Sequence, residues 1–533
     1  MRKVVLIMLC CVLLAGAFVA CNRGGAATTT PQTSAEMEMV IANGTNPQSL
    51  DPSQITGVPE HRIYRALFEG LVGMDPRTNK AIPGVADSWT YSNDNSVITF
   101  KLREGIVWSD GTPITAQQIV ESWLHHLNPT TASNYAYMMG MVVKGAEDYN
   151  EKGGRPEDVA IRAVDDRTFE VNLVGPVPYA LDMIAHYAFS PLPMHIIRQH
   201  GNNWTRPENI VGNGPFILQE YIPNSRVVVT PNDKYWNKAN VHLTKVTFLP
   251  SDDQNTVHNM FLNGEVDWST MVPIAQIDQV KLHKDYQVSS QLGTYYFYIN
   301  NRDHAALRDV RVRKALSMGF DRQELIDRVI RGGQIPATGM VPPMNDYIPA
   351  EGTGYNVEEA RRLLAEAGYP NGQGFPTYEI IYNTLDSHRI ISEYLQEAWR
   401  SNLGINTSLQ NMEWASYLDY RKTPNMQIAR AGWIADYMDP QNFLDLLIST
   451  GGNNDGHYND PEYDRLVRQA ATMPDGPDRN RIMRQAEDMA ITRDQAMIPI
   501  YYYVSQNMID LNKWEGWYPN PQDVHPYVGI KRK

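Results

Sequence analysis

The chain has 533 residues, enough for three or four domains of ordinary size. Hydrophobic residues make up 42% and charged residues 20%, which is typical of a folded chain and excludes a mostly disordered one. The formal net charge of −13 disfavours nucleic acid as the main partner, because phosphate backbones bind to basic surfaces.

The N-terminus has the pattern of an export signal. Two basic residues precede an apolar run over residues 4–20, and Cys21 follows it. The four residues that end in Cys21, Phe-Val-Ala-Cys, resemble the lipobox of bacterial lipoproteins, in which the Cys is acylated and becomes the new N-terminus. We predict a signal peptide over residues 1–20, then an acylated Cys21 and a flexible tether over residues 21–34. An uncleaved membrane anchor is the alternative.

All cysteines of the chain lie in this N-terminal segment, at Cys10, Cys11 and Cys21. Every later position is free of cysteine, so we expect no disulfide, no thiolate metal site and no cysteine catalysis in the mature protein. Both interpretations of the N-terminus place the globular part outside the cytoplasm, in the periplasm or at the cell surface.

Strand patterns and one capped helix mark the first half of the chain. Residues 98–102 alternate apolar and polar side chains, which is the period of a half-buried strand. Residues 169–173 repeat that alternation, and the β-branched run at 226–230 is a further strand candidate. Thr115, followed three positions later by Gln118, forms a capping box that predicts the start of a helix.

A strand–helix–strand unit is predicted in the second half, over residues 378–383, 391–403 and 405–409. Such a unit places its two strands parallel, with a right-handed crossover. Asp321 and Asn356 have the spacing of helix caps and predict two further helices. The chain is therefore predicted to be α/β.

Motifs of the common enzyme classes are missing from the sequence. It contains no G-x-S-x-G, H-E-x-x-H, Walker A or G-x-G-x-x-G pattern. The adjacent pair His125-His126 is typical of a solvated helix surface and not of a metal site. We predict that the protein is not an enzyme and that it uses no metal ion or cofactor.

Ordered motifs along nearly all of the chain after the tether resemble a single family. These motifs are Phe68-Glu69-Gly70-Leu71, Pro83-Gly84-Val85-Ala86-Asp87-Ser88-Trp89, Trp108-Ser109-Asp110-Gly111-Thr112-Pro113, Asn213-Gly214-Pro215-Phe216 and Tyr501-Tyr502-Tyr503-Val504. The chain is similar to the family 5 solute-binding proteins, the extracytoplasmic receptors of peptide-type ABC importers. Within that family it most resembles the bacterial periplasmic oligopeptide-binding proteins.

The resemblance implies a class II periplasmic-binding-protein fold, with two hinged α/β lobes plus an additional lobe. Lobe II would span residues 69–194 and lobe III residues 293–503. Lobe I would be discontinuous, and its segments would be 35–68, 195–292 and 504–533. The ligand would bind between lobes I and III and be enclosed when they close.

The same resemblance implies a function. The protein would capture short oligopeptides and deliver them to the permease subunits of an ABC importer, as a monomer with no nucleic-acid partner. A receptor for another solute is an alternative, and murein peptide, dipeptide, nickel, haem and sugar all occur as ligands in the superfamily. An exported lipoprotein with a chaperone or adhesion role is a second alternative, and a hydrolase a third.

The resemblance also implies ligand-binding roles for individual residues. Asp436 matches the family's Asp that holds the ligand's α-ammonium. The peptide backbone would lie along Val58, Gly432, Trp433 and Ile434. The residues that would meet the peptide carboxylate are Arg430, His388 and Arg421. Those that would line side-chain pockets are Tyr135, Tyr296, Trp414 and Tyr502, although such side chains also suit a hydrophobic core.

One departure from close relatives concerns a disulfide. Relatives that have it join a Cys just before a Thr-Tyr-Tyr run to a Cys in the Gly-Trp-x-x-Asp stretch. The matching positions here are Gly293 and Ile434. Both partners are therefore replaced together.

Overall fold

The computed structural model describes residues 37–344 and 346–533. The predicted signal peptide, Cys21 and the whole predicted tether lie outside these residues. The strands are β1 Glu38–Ala42, β2 Val72–Asp75, β3 Lys80–Pro83, β4 Ala86–Tyr91, β5 Val97–Leu102, β6 Ile161–Asp165, β7 Thr168–Asn172, β8 Phe216–Ile222, β9 Arg226–Pro231, β10 Lys245–Leu249, β11 Trp268–Ser269, β12 Tyr286–Ile299, β13 Ile335–Pro336, β14 Tyr378–Asn383, β15 Thr407–Met412, β16 Ile428–Ile434, β17 Met497–Ile509, β18 Trp514–Glu515 and β19 Lys531–Arg532.

Helices connect and cover these strands. They are α1 Val58–Leu67, α2 Ala116–Leu127, α3 Ala136–Val142, α4 Ala146–Glu151, α5 Ala180–Ile184, α6 Met194–His200, α7 Gln254–Leu262, α8 Ile277–Val280, α9 Ala305–Arg308, α10 Val310–Met318, α11 Arg322–Glu324, α12 Val357–Glu366, α13 Asp386–Leu403, α14 Trp414–Arg421, α15 Gln441–Leu444, α16 Pro461–Ala471 and α17 Pro477–Glu487. Short 3₁₀ or π-helical turns extend several of them.

A mixed sheet of 11 strands forms the centre of the fold, in the order β15-β14-β16-β12-β17-β11-β1-β10-β9-β8, with β13 beside β17. The long strands β12 and β17 pair antiparallel and cross the sheet from one set of neighbours to the other. Their register shifts between Ser290 and Thr294. The predicted boundaries of lobe III, before Gly293 and after Tyr503, fall within these two strands, and the division into lobes stays a prediction.

A second sheet, β4-β5-β7-β6, is antiparallel and is formed from residues 86–172. Helix α2 packs beside it, and the Trp123 indole donates to the backbone carbonyl of Phe189 at 2.9 Å. Thr115 caps α2 as predicted, since its side chain accepts from the N–H of Gln118. This sheet lies entirely within the predicted lobe II.

The strand–helix–strand prediction is confirmed in type and order. Strand β14 has the predicted bounds and pairs parallel with β15. Helix α13 begins at Asp386, five residues earlier than the pattern indicated. Its N-cap position, Leu385, makes no side-chain capping hydrogen bond, so the usual sequence signal for a helix start is absent there.

Glu487, the last residue of α17, links that helix to the segment between β13 and α12. It is fully buried, and its carboxylate accepts from the N–H groups of Val341 and Ala350 and from the Tyr347 hydroxyl, each at 2.8 Å. Burial raises the pKa of Glu487 above its usual value. Removing this acceptor leaves three donors without their partner.

We expect Glu487→Ala to lower the free energy of unfolding by about 3 kcal/mol or more, because each stranded buried donor costs about 1–3 kcal/mol. Urea denaturation monitored by circular dichroism measures the change. The control is Glu351→Ala at an exposed position, which should stay within about 0.5 kcal/mol of wild type. Equal stabilities of the two variants would contradict the prediction.

Candidate functional site

A cavity of about 400 Å³ lies beside the central sheet. Residues from all three predicted lobes line it, including Val58 of α1, Tyr135 before α3, and several residues of β16 and β17. This volume is large enough to hold a small ligand. The strands that cross the sheet therefore form part of the wall of the cavity.

Strand β16 supplies the longest continuous part of this wall. Exposure alternates along it, with Arg430, Gly432 and Ile434 partly exposed and the intervening residues buried. Side chains of a strand alternate between its two faces, so these three residues share one face. All three line the cavity, and Asp436 continues the same two-residue spacing.

Asp436 presents an unpartnered carboxylate oxygen to the cavity. Its side chain is only 14% exposed, and Oδ1 lies 3.3 Å from Nε2 of His186. Oδ2 is buried and has no hydrogen-bond partner in the described part of the chain. The backbone is held on both sides, because its N–H donates to Asn442 Oδ1 at 3.0 Å and its carbonyl accepts from Gln522 Nε2 at 3.2 Å. A fixed carboxylate with a free oxygen suits a cationic ligand group.

Arg430 brings a positive charge to the same face of β16. Its guanidinium donates to Asn383 Oδ1 at 3.2 Å and to the Tyr503 hydroxyl at 3.0 Å, and it lies 4.6 Å from the ring centre of Tyr295. Its Nε is buried without a hydrogen-bond partner among the residues the structure describes. These neighbours orient the cation but leave it able to bind an anionic group.

His388 of α13 lies close to Arg430 and is buried. Burial, reinforced by the positive charge of Arg430, holds the pKa of His388 well below its usual value of 6.5. The imidazole is therefore neutral at pH 7, and its Nδ1 lies 3.2 Å from the Tyr295 hydroxyl. It can exchange hydrogen bonds with a ligand, whereas Arg430 carries the charge.

Helix α1 contributes the predicted Val58 and three further residues that the sequence analysis did not select. Val58, His61, Arg62 and Arg65 line the cavity at the spacing of one helix face. Glu60, on the same helix, is buried and accepts a hydrogen bond from the Trp414 indole at 2.9 Å. The helical spacing of the polar residues was the available signal, but it could not show which way that face points.

Most of the predicted site residues line the cavity. The structure places there Val58, Tyr135, His388, Trp414, Arg430, Gly432, Trp433, Ile434 and Asp436. Their contacts with a ligand stay a prediction, since lining a cavity is not the same as binding in it.

Arg421, Tyr296 and Tyr502 do not line it, and their contacts with a ligand also stay a prediction. Arg421 pairs with the buried Asp455. Tyr296 is 1% exposed and donates to the Tyr298 hydroxyl at 2.9 Å. The Tyr502 hydroxyl accepts from the N–H of Gly339 at 3.1 Å.

Strand parity explains why Tyr502 does not line the cavity. In β17, Tyr501 and Tyr503 line the cavity, while Tyr502 between them points to the opposite face. A run of three identical residues carries no signal for which face is buried, and a shift of one position reverses every assignment.

Gly293 and Ile434 are direct partners in the pairing of β12 with β16. A Cβ atom on Gly293 would lie 2.6 Å from Cδ1 of Ile434. The isoleucine side chain therefore occupies the space beside the glycine. This is the pair of positions at which the resembling proteins have their disulfide.

Residues 37–344 and 346–533 contain no group of three or more His, Cys, Asp or Glu residues arranged to hold a metal ion. Within the same residues, none of the helices combines the length and apolar character that a membrane crossing requires.

The chain matches the family model of bacterial extracellular solute-binding proteins, family 5 middle, over residues 80–455. It is 37% identical to the periplasmic oligopeptide-binding protein OppA of Salmonella typhimurium over 491 residues, which cover 90% of this chain and 89% of that protein.

Solved structures extend the comparison to the fold. The crystal structure of Haemophilus influenzae OppA in complex with the peptide RPPGFSPFR matches with a TM-score of 0.88 and 32% identity, over 93% of this chain and 99% of that one. The murein tripeptide binding protein MppA of Escherichia coli matches with a TM-score of 0.89 and 34% identity, over 94% and 99%. Its unliganded open form gives only 0.62, with 34% identity over 93% and 98%. The predicted α/β class II periplasmic-binding-protein fold is confirmed.

The low pKa of His388 makes stability depend on pH. The unfolded chain takes up a proton near pH 6.5 and the folded chain does not, so stability falls as the pH drops below 6.5. Between pH 7.5 and 5.5 this histidine should account for about 1.4 kcal/mol of the stability that wild type loses. We expect His388→Gln to lose that much less over the same pH range. Urea denaturation at the two pH values checks this, and an unchanged loss in the variant would refute it.

Proposed function

The chain belongs to the bacterial extracellular solute-binding proteins of family 5, and on that premise we propose that it captures short oligopeptides in the cavity and delivers them to the permease subunits of an ABC importer. Members of this family that resemble the chain across nine-tenths of its length are periplasmic oligopeptide-binding proteins. A periplasmic location and a solute-binding role follow at that level, and we propose that the protein is not an enzyme.

The observation that carries the proposal is a pair of opposite charges on one wall of the cavity, Arg430 on β16 and Asp436 just after it. Asp436 and Arg430 are six positions apart in the sequence. At about 3.3 Å per residue an extended strand covers about 20 Å over that distance. An extended peptide needs about six residues for the same span. The arrangement therefore suits a short peptide with a free ammonium at one end and a free carboxylate at the other.

Between the two charges the wall offers little side-chain bulk. Gly432 has no Cβ, and an added Cβ would lie 2.3 Å from the Tyr503 hydroxyl. An extended ligand lying along Gly432, Trp433 and Ile434 can form main-chain hydrogen bonds that do not depend on its sequence. Such contacts give a receptor affinity for many different peptides.

The two forms of MppA support a hinge. Because this chain is much more similar to one MppA structure than to the unliganded open form, its lobes are arranged as in the former. We propose that the predicted lobes I and III close around the peptide. The hydrogen bond from Trp414 to Glu60, between α14 and α1, would join those lobes in the closed arrangement.

We also propose that the mature protein begins at an acylated Cys21 and acts as a lipid-anchored monomer. The amine-binding role of Asp436 argues against a neutral sugar as the ligand, because a carboxylate that grips an ammonium has no use there. Murein peptide and dipeptide receptors use the same ligand chemistry and differ in the length and side chains they accept.

Asp436→Asn should weaken binding of tri-alanine by about 30-fold or more, because the ligand ammonium would lose its charged partner in the cavity. Isothermal titration calorimetry measures the change. N-acetylated tri-alanine, which has no ammonium, should bind weakly to wild type and equally weakly to the variant.

Asp419→Asn is the matched control, since this residue of α14 is exposed and should leave affinity unchanged. Wild-type affinity of Asp436→Asn for tri-alanine would eliminate amine capture and leave the other solutes of the family as candidates.

Arg430→Gln should weaken binding of peptides with a free carboxylate, most strongly at the length whose C-terminus reaches the guanidinium. A series of alanine peptides from three to six residues locates that length. Peptides of the same series with a C-terminal amide should bind wild type and variant alike. A uniform loss for acids and amides would assign Arg430 a structural role instead.

A further inference from the structure

A buried histidine faces the carboxylate to which the peptide's ammonium is assigned. His186 is 5% exposed and lies just before the short turn of helix at Tyr187–Phe189. The rings of Tyr187 and Tyr135 pack against it, with ring centres 3.8 and 4.6 Å away. The imidazole is thus fixed in place, and each ring nitrogen faces a defined neighbour.

The neighbour of Nδ1 determines the tautomer. Nδ1 accepts a hydrogen bond from the backbone N–H of Ala188 at 3.2 Å, so it carries no proton. In the neutral imidazole the proton must then be on Nε2. Nε2 lies 3.3 Å from Oδ1 of Asp436, which is ion-pair distance without hydrogen-bond geometry, and Nε2 has no hydrogen-bond partner in the described chain.

Two histidines near His186 carry no positive charge at pH 7. These histidines are His61 and His126, which lie close enough to His186 for electrostatic interaction. Burial holds the pKa of His61 well below its usual value and lowers that of His126 to about 3. Both are therefore neutral at pH 7 and do not take the place of a ligand ammonium beside the carboxylate.

We propose that His186 is a positioning residue for amine recognition, whose Nε2–H lies against Oδ1 of Asp436 and leaves Oδ2 to face the peptide's ammonium. A carboxylate that rotates freely presents either oxygen, and fixing one of them reduces the entropy lost when the ligand binds. The donor also stabilises the negative charge in a poorly hydrated place.

The contact also joins two parts of the protein. His186 belongs to the predicted lobe II, and Asp436 follows β16 in the predicted lobe III. The amine site is complete only when these two parts meet. The inference rests on the proposed function, because it concerns how the same carboxylate binds an amine.

The test compares three substitutions by calorimetry with tri-alanine and N-acetylated tri-alanine. His186→Ala should weaken tri-alanine binding about 10-fold or more, the contribution of a hydrogen bond to a charged group. His186→Asn keeps an acceptor for the Ala188 N–H but loses the donor, and it should show the same loss while folding normally. His186→Gln can place a donor near the Nε2 position and should retain most of the affinity.

Binding of the N-acetylated peptide should not change in any variant, because it has no ammonium. A purely structural role would move both peptides together, so an equal loss for the two, or wild-type binding of tri-alanine by His186→Asn, would overturn the inference. Thermal unfolding midpoints of the variants verify their folding. Failure of the proposed function looks different, since wild type itself would then not prefer the free amine.

Discussion

The structure depends on charged groups that are kept in a poorly hydrated cavity without full compensation. Burying an ionised carboxylate or guanidinium costs free energy unless a partner replaces the hydrogen bonds and charge stabilisation that water provided. Asp436 has a carboxylate oxygen, and Arg430 a guanidinium nitrogen, that no described residue satisfies. In the proposed function, a ligand with charged ends of opposite sign supplies both partners. Binding of the ligand then compensates the cost of burying these two charges.

The rest of the fold keeps these charges at a fixed separation. Strand β16 is held between β12 and β14, so Arg430 cannot move relative to its neighbours without breaking a ladder of backbone hydrogen bonds. The two long strands β12 and β17 run from this region into the other half of the sheet. They provide continuity between the predicted lobes, while the cavity wall is assembled from side chains on both sides.

Local structure was predictable where the signal was local. The bounds of β14 were predicted as observed, and the starts of α2 and α12 follow from Thr115 and Asn356, whose side chains accept hydrogen bonds from the first turn. The start of α13 was missed because tertiary packing, not a capping side chain, begins that helix. The family, and with it the fold, was predictable because many motifs occur in the same order.

By itself the sequence determined the family through its ordered motifs, and that resemblance implied Asp436 and Arg430 as site residues, both of which line the cavity. It could not decide the direction in which Tyr501, Tyr502 and Tyr503 point, nor that Arg421 is held by Asp455 away from the cavity. Those outcomes depend on register and on contacts between distant segments. Only the tertiary structure sets both, and it alone placed His186 beside Asp436.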